Sequence, residues 1–192
     1  RLVASLTQAE KEHVKLHFGL LTIKPIIYVA NISDIEYATY EENIDYQKVK
    51  AIANQEGAEV VAISAEIEAE IANMPRAEQE LYLKELGIDE PGLHKVINVA
   101  YKMLGLSSFF TIGKDEVRAW TFKNGTNAQK CAGLVHTDFE RGFIRAEIYS
   151  YSEFEKYGTE AKIKEAGKMR SEGKDYLMRD GDIAFFKFNV RK

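Results

Sequence analysis

Two short apolar runs, each ending in polar residues, dominate the pattern of the first half of the chain. Residues 26–30 follow a proline and run directly into Asn31-Ile32-Ser33-Asp34, and residues 59–63 end in Ser64-Ala65-Glu66. Continuous apolar runs of this length predict strands buried on both faces, as in parallel sheets. Ligands bind beyond the carboxyl ends of such strands, so the two polar loops predict a corner that contacts a nucleotide base.

The segments around these runs have helical spacing. Thr7-x-x-Glu10 forms a capping box, and the helix that follows is expected to carry Leu16 and Phe18 toward the first strand. A second helix over residues 45–54 lies between the two runs and ends near Gly57. Residues 66–86 are predicted to be helical with a break at Met74-Pro75. A further helix, started by Asp89-x-Pro91 and closed by Gly105, has an apolar stripe that we expect to pack in the core. Strand, helix and strand in this order predict an α/β sheet.

From residue 107 onward the pattern becomes rich in β-formers. Residues 109–112 and 117–122 flank Gly113-Lys114-Asp115, which predicts a hairpin. Thr126-x-x-Gln129 is a second capping box that is expected to begin a helix. A third strand over residues 143–149, an irregular segment and a last strand over 183–190 complete the order. This order predicts an α+β domain of β-grasp type, with the domain boundary near residue 106.

Composition excludes several classes of protein. The 192 residues suffice for one large or two small domains, and no apolar run approaches the roughly 20 residues that span a bilayer. No signal-peptide pattern follows Arg1, so we expect no membrane association and a cytoplasmic location. The single Cys131 cannot form an internal disulfide and is predicted to lie in the core. His13 and His17 have a spacing that suits a metal, but no third ligand is obvious nearby, so we expect no metal site.

The formal net charge of −4 is unevenly distributed. Residues 1–106 contain 10 Lys and Arg against 17 Asp and Glu, whereas residues 107–192 contain 16 against 13. This asymmetry indicates two modules with different partners. The surplus of three positive charges in the second half permits RNA binding but does not by itself indicate it.

Four motifs in the second half resemble the YchF family of Obg-like P-loop ATPases and GTPases. They are Phe109-Phe110-Thr111-Ile112-Gly113, Glu116-Val117-Arg118-Ala119-Trp120-Thr121, His136-Thr137-Asp138-Phe139-Glu140-Arg141-Gly142-Phe143-Ile144 and the stretch from Asp180-Gly181-Asp182 to Val190. They are similar to the family's TGS domain, a β-grasp module, and the resemblance covers essentially the whole chain.

The resemblance implies three segments. Residues 1–17 would end a helical insertion, residues 18–106 would be the C-terminal part of a P-loop G domain, and residues 107–192 would be the TGS domain. The family's phosphate-binding loop, switch regions and catalytic histidine are expected to precede Arg1, and G-x-x-x-x-G-K-[ST] does not occur in the sequence. ATP or GTP with Mg²⁺ is therefore the implied cofactor of the intact protein. This chain alone, with no catalytic residue and no metal ligand, is expected to be inactive.

Within the resemblance, the loop from Asn31 to Asp34 occupies the base-recognition motif. The Asn31 amide offers a donor and an acceptor to a purine, and the Asp34 carboxylate suits the adjacent donors of guanine. Ile32 stands where ordinary GTPases have a lysine, and the absence of that lysine favours ATP. Ile32 itself would contribute mainly its backbone. We therefore expect use of both nucleotides with ATP slightly preferred. Ser64 and Ala65 match the last nucleotide loop. The alternative is that both loops merely cap their strands.

The resemblance also implies a ribosome partner, with the large subunit expected, and contact with RNA. The exposed cationic candidates are His136, Arg141, Arg145, Lys174 and Arg179, with Trp120 or Tyr149 available to stack on bases. The alternative is that these cations are ordinary solvated residues and that Trp120 belongs to the core. Two hypotheses thus remain open, a fragment of a nucleotide hydrolase and a non-enzymatic β-grasp adaptor for RNA or protein. The oligomeric state is left open.

Overall fold

A computed structural model describes residues 5–113 and 115–189, and the chain divides into two compact units, Arg1–Met103 and Leu104–Lys192. Both units combine helices and strands. The division lies close to the predicted boundary near residue 106. The assignment of the three segments to a helical insertion, a G domain and a TGS domain stays a prediction.

The first unit contains six α-helices and two strands among its described residues. In chain order they are α1 (Gln8–His17), β1 (Ile27–Asn31), α2 (Asp34–Tyr37), α3 (Ile44–Glu56), β2 (Glu59–Ile63), α4 (Ala65–Ile71), α5 (Arg76–Glu85) and α6 (Gly92–Leu104), with 3₁₀ turns at Leu21–Ile23 and Tyr40–Glu42.

The strands β1 and β2 pair in parallel, as the strand–helix–strand pattern predicts, with Ile27 opposite Glu59 and Asn31 opposite Ile63. Parallel pairing puts both carboxyl ends at one edge, so the loops after Asn31 and Ile63 emerge side by side. Local signals account for the elements around them. The Thr7–Glu10 capping box begins α1, and Gly57 ends α3 in the left-handed conformation that glycine adopts without strain.

Three burial predictions for the first unit are wrong. Val29 of β1 is 46% exposed, because no described element covers the face of this two-stranded sheet from which its side chain projects. Helix α1 buries no residue, and both its Leu16 and the following residue Phe18 are exposed, since no described element covers them. The stripe of α6 contains no fully buried residue, and its Ile97 and Leu104 are exposed. The core of this unit instead centres on Tyr37, Tyr46, Ala62, Ile67, Ile71, Leu83 and Ile88.

The second unit is a five-stranded mixed sheet with helices. Its elements are β3 (Leu106–Ile112), β4 (Val117–Lys123), α7 (Ala128–Val135), α8 (Thr137–Arg141), β5 (Phe143–Ser150), α9 (Tyr151–Tyr157), α10 (Glu160–Glu165), β6 (Arg170–Glu172) and β7 (Asp182–Phe188). The strand order is β4-β3-β7-β5-β6, with β3 and β7 parallel and the other pairs antiparallel. The predicted hairpin is present as β3 and β4, although Lys114 of its turn lies outside the described residues.

Two local predictions in this unit are corrected. Helix α7 is capped by Asn127, whose Oδ1 accepts from the Lys130 N–H, because the Thr126 hydroxyl donates to the Lys123 carbonyl in the preceding turn. The segment predicted to be irregular contains α9, α10 and β6. The capping box of α9, Ser150-x-x-Glu153, was available in the sequence as a signal. The last strand ends at Phe188, and Val190 lies outside the described residues.

The core of the second unit lies between one face of the sheet and α7. Phe109 and Ile148 are fully buried there, together with Phe122, Phe186 and Cys131. The edge-to-face contact of Phe109 with Phe186, with ring centroids 5.8 Å apart, joins β3 to β7.

Gly142 shows how closely the chain packs at the start of β5. The Asn189 N–H donates to the Gly142 carbonyl at 2.8 Å, and a Cβ on Gly142 would lie 2.5 Å from the Asn189 carbonyl oxygen. Backbone cannot yield as a side-chain end can, so we expect Gly142→Ala to lower the free energy of unfolding by about 1–3 kcal/mol. Gly173→Ala, which meets nothing within 4 Å, is the matched control. Urea unfolding followed by the fluorescence of Trp120 measures both; equal stability of the two variants contradicts the prediction.

Candidate functional site

The polar loops after β1 and β2 meet in a single corner. The Ala65 N–H donates a hydrogen bond to Asn31 Oδ1 at 3.0 Å, across 34 residues of sequence. A further bond from the Ile32 N–H to the Ile63 carbonyl, at 2.8 Å, continues the strand pairing into the loop. The structure therefore brings together Asn31, Ile32, Ser64 and Ala65, four of the five residues predicted for the base site. Asn31 is exposed, and no hydrogen bond of its amide N–H₂ is found among the described residues, so this donor is left for a ligand.

Ser64 fixes the second loop from inside the fold. It is 1% exposed and caps α4, with Ser64 Oγ accepting from the Ile67 N–H at 3.5 Å. One turn along α4, the Glu68 carboxylate accepts from the Gly92 N–H at 2.6 Å and so ties this helix to the start of α6. The sequence interpretation missed Glu68. The only hint in the sequence was its partner Gly92, which directly follows a proline at a helix start. Because α4 is held at both points, Ala65 presents its amide to Asn31 in a fixed position.

The fifth predicted residue, Asp34, begins α2 and is exposed. Its carboxylate lies near Tyr82, an aromatic residue that the sequence interpretation did not single out. The pKa of the Tyr82 hydroxyl is raised, first by its hydrogen bond to Glu70, then by burial and by the negative charges of Glu70, Asp34 and Glu66. This side of the corner is therefore acidic, which suits hydrogen-bond donors on a base and repels phosphate groups.

Ile32 contributes to the corner mainly through its backbone. Its side chain is half-buried and packs against the same core cluster as Tyr82. The residue thus anchors the loop, and an apolar side chain held in the core cannot act as the lysine of ordinary GTPases would.

The five cationic candidates of the second unit do not form one cluster of mutual contacts. His136 caps α8, with Nδ1 accepting from the Asp138 N–H at 3.2 Å, and Arg145 donates to Glu147 at 3.1 Å. Arg141, Lys174 and Arg179 are exposed, and no hydrogen bond or ion pair of their side chains is found within residues 5–113 and 115–189. The Arg179 N–H donates to Asp182 Oδ2.

Neither aromatic candidate has two open ring faces. Tyr149 is 5% exposed, so the prediction that it can stack on bases is wrong; its ring packs with Ile163 and Ile183. Trp120 is half-buried against the core, donates its indole N–H to Thr111 Oγ1, and is covered by the Arg118 guanidinium at 4.1 Å.

Cys131 lies in the core of the second unit, and His13 and His17 contact each other on α1. Cys131 is fully buried, so it packs in the core as predicted. Its burial raises the pKa of the thiol to about 12. The rings of His13 and His17 contact each other with centroids 4.4 Å apart. Across the described part of the chain, no group of three His, Cys, Asp or Glu residues is arranged to hold a metal, and no helix is both long and apolar enough to cross a bilayer.

Comparison with known proteins identifies the family. The family model YchF-GTPase_C, described as a protein of unknown function (DUF933), matches residues 106–189. The Ribosome-binding ATPase YchF of Bacillus subtilis is 50% identical over 185 residues, covering 96% of this chain and 50% of that protein. The chain belongs to the YchF family. The homologue of the same name from Escherichia coli O157:H7 is 46% identical over 95% of this chain and 49% of its own length.

Solved structures agree with this assignment. The structure of the Schizosaccharomyces pombe YchF GTPase superimposes with a TM-score of 0.79 at 35% identity, over 95% of this chain and 48% of that one. A GTP-binding protein from Pyrococcus horikoshii OT3, at 19% identity and a TM-score of 0.58, shares the fold. The chain therefore spans about half the length of the YchF relatives that it matches.

Proposed function

We propose that this chain supplies the base-recognition loops and a TGS-type β-grasp domain to a YchF nucleotide hydrolase that works on the ribosome. The observation that carries the proposal is the hydrogen bond from Ala65 to Asn31, because it joins two strand-end loops into one polar corner. The relatives support the activity and the partner through their names, which are ribosome-binding ATPase in bacteria and GTPase in fission yeast. The ribosome is a cytoplasmic partner, which fits the expected location.

Catalysis in this proposal needs residues outside the chain. The corner offers hydrogen-bonding groups for a base, but its acidic side does not suit phosphates or provide a phosphate cradle. The pattern G-x-x-x-x-G-K-[ST], whose backbone and lysine hold phosphates and whose hydroxyl binds Mg²⁺, is absent from the 192 residues. Mg²⁺ and the phosphate groups are therefore assigned to the remaining half of a YchF-length protein.

Comparing two proteins tests this division of labour. Release of phosphate from ATP and from GTP, with Mg²⁺, is measured for the full-length protein and for the 192-residue chain. We expect turnover by the full-length protein and none by the chain. Turnover by the chain, or none by the full-length protein with either nucleotide, contradicts the proposal and leaves the non-enzymatic adaptor as the better hypothesis.

The choice between ATP and GTP is predicted to depend on Asp34. A carboxylate pairs with the adjacent N1–H and amine of guanine, whereas adenine lacks the N1–H. We expect Asp34→Ala in the full-length protein to weaken GTP binding about tenfold and to change ATP binding little. Glu36→Ala, another exposed acidic residue of α2, serves as the control. Equal losses for the two nucleotides would show that Asp34 does not select the base.

The second unit is proposed to be the TGS-type β-grasp module that contacts the ribosome. Its support is the mixed sheet with β3 and β7 parallel and central, and with α7 packed on one face. A hairpin, a helix and a returning central strand are what a β-grasp fold requires. The predicted RNA-facing residues His136, Arg141, Arg145, Lys174 and Arg179 remain candidates within this proposal.

A further inference from the structure

One face of the sheet in the second unit is only half covered. Alternation along the strands puts Phe185 and Lys187 of β7 on the face opposite α7, where Phe185 pairs with Glu147 and Lys187 with Arg145 of β5. At one end of this face, α9 and α10 pack on Tyr149 and its neighbours. At the other end Phe185 remains 53% exposed, a large fraction for an aromatic residue in a central strand.

Several cations lie on this part of the sheet, and one of them covers the exposed ring. Arg145 and Lys187 both approach Glu147, at 3.1 and 3.6 Å, and Lys164 lies with Arg145 and Glu147 in the wall of one recess of about 410 Å³. Lys164 also pairs with Glu160 at 2.7 Å, so Arg145, Lys164 and Lys187 together face two carboxylates, and this part of the surface keeps an excess of positive charge. The Lys187 ammonium lies over the Phe185 ring, 4.2 Å from its centroid.

We propose that Arg145, Lys164, Phe185 and Lys187, the sheet-face patch, bind single-stranded RNA. An exposed aromatic ring on a sheet stacks on an unpaired base, and adjacent cations contact the phosphates on either side. The flexible Lys187 side chain moves from the ring to a phosphate when a base takes its place. A protein partner fits less well, because lysine is depleted in protein–protein interfaces.

This inference rests on the proposed role of the second unit in ribosome contact, and it changes where that contact lies. Of the five cations predicted from the sequence, only Arg145 belongs to the sheet-face patch. The sequence interpretation missed Phe185 and Lys187 because the run Phe185-Phe186-Lys187-Phe188 also contains Phe186, a core residue of the same type as Phe185. The two residues differ in that Phe186 lies on the sheet face that α7 covers and Phe185 lies on the opposite face.

The first test measures binding of a fluorescein-labelled oligouridylate to the 192-residue chain by fluorescence anisotropy at several salt concentrations. We expect Phe185→Leu, which keeps apolar volume and removes stacking, to weaken binding about tenfold. Lys187→Gln and Arg145→Gln should weaken it several-fold and reduce the salt dependence by about one phosphate contact each. Lys130→Gln, an exposed cation of α7, should have no effect. Absence of binding by the unaltered chain, or equal binding by all variants, overturns the proposal.

The second test uses the full-length protein and separates this inference from the proposed function. Sedimentation with ribosomes is measured for the unaltered protein and for Phe185→Leu/Lys187→Gln. We expect the variant to lose most of its ribosome association. Association that is unchanged in the variant overturns the patch and leaves the function intact, whereas no association of the unaltered protein overturns the function. Loss of sedimentation by a variant whose oligouridylate binding is normal identifies a protein partner and also overturns the proposal.

Discussion

Asn31→Ala in the full-length protein is expected to weaken binding of both ATP and GTP about ten- to hundredfold. The Asn31 side chain has two roles in the corner, since Oδ1 accepts from the Ala65 N–H at 3.0 Å and the amide N–H₂ is left for the base. Alanine removes both, which leaves the Ala65 amide without its partner and the base without a donor. Each lost hydrogen bond costs about 1–3 kcal/mol when the partner group is left unsatisfied, and 1.4 kcal/mol is tenfold in affinity.

Two further variants separate these roles. Asn31→Asp keeps an acceptor for Ala65 and replaces the amide donor with a negatively charged oxygen, so it should hold the loops together and still bind nucleotide poorly. Asn73→Ala, an exposed asparagine beyond α4, controls for general effects of the substitution. Titration with fluorescent nucleotide analogues measures all three variants, and thermal unfolding shows whether they remain folded. Normal binding by a folded Asn31→Ala variant would contradict assignment of the corner to the base.

Asp182→Ala is expected to destabilise the second unit by about 3–5 kcal/mol. Asp182 is 2% exposed, and its carboxylate accepts from the Arg179 N–H at 2.9 Å, the Tyr176 hydroxyl at 3.0 Å and the Arg170 guanidinium at 3.3 Å. Removing the carboxylate leaves the Arg179 N–H and the Tyr176 hydroxyl without their acceptor, and it takes from the Arg170 guanidinium one of two counter-charges, the other being Glu172 at 3.4 Å. Its neighbour Asp180 accepts from the Ser108 N–H, so this turn also connects β7 to β3.

Chemical unfolding followed by Trp120 fluorescence measures this effect within the second unit, because Trp120 is the single tryptophan of the chain. A shift of the denaturant concentration at the unfolding midpoint, with an unchanged dependence of the free energy of unfolding on denaturant, shows a change in stability. Asp175→Asn, an exposed acidic residue in the same loop, should change stability by no more than about 0.5 kcal/mol. Stability of Asp182→Ala within the same range would show that the three donors find other partners.

The adjacency of the two loops was predictable from the sequence, because two strands that pair in parallel end at the same edge of the sheet. Once the runs before Asn31 and Ser64 pair in register, their loops must adjoin. Tyr82 was not predictable in this way, since its place beside Asp34 depends on how α5 packs. The exposure of Val29 was predicted wrongly because an apolar run reports what a strand can bury and not which elements are present to cover it.

In the second unit, strand pattern and turn residues predicted the hairpin and the later strands but not the details between them. Thr126 and Asn127 are both good capping residues, and the choice between them depends on the turn that the Thr126 hydroxyl closes. Asp182 entered the sequence analysis only as part of a motif, because a carboxylate that accepts hydrogen bonds from three separate residues has no local sequence signal. The assignment of the three domain segments and of the base contacts still awaits measurement.

Hydrogen–deuterium exchange of the full-length protein, with and without nucleotide, tests the central claim most directly. If the two loops form the base site, ATP or GTP should slow exchange of the amides in residues 31–34 and 64–66 together, and Asn31→Ala should abolish the effect at both. If nucleotide binds and slows exchange elsewhere while both loops exchange as before, the corner does not hold the base and the proposed role of this chain is wrong.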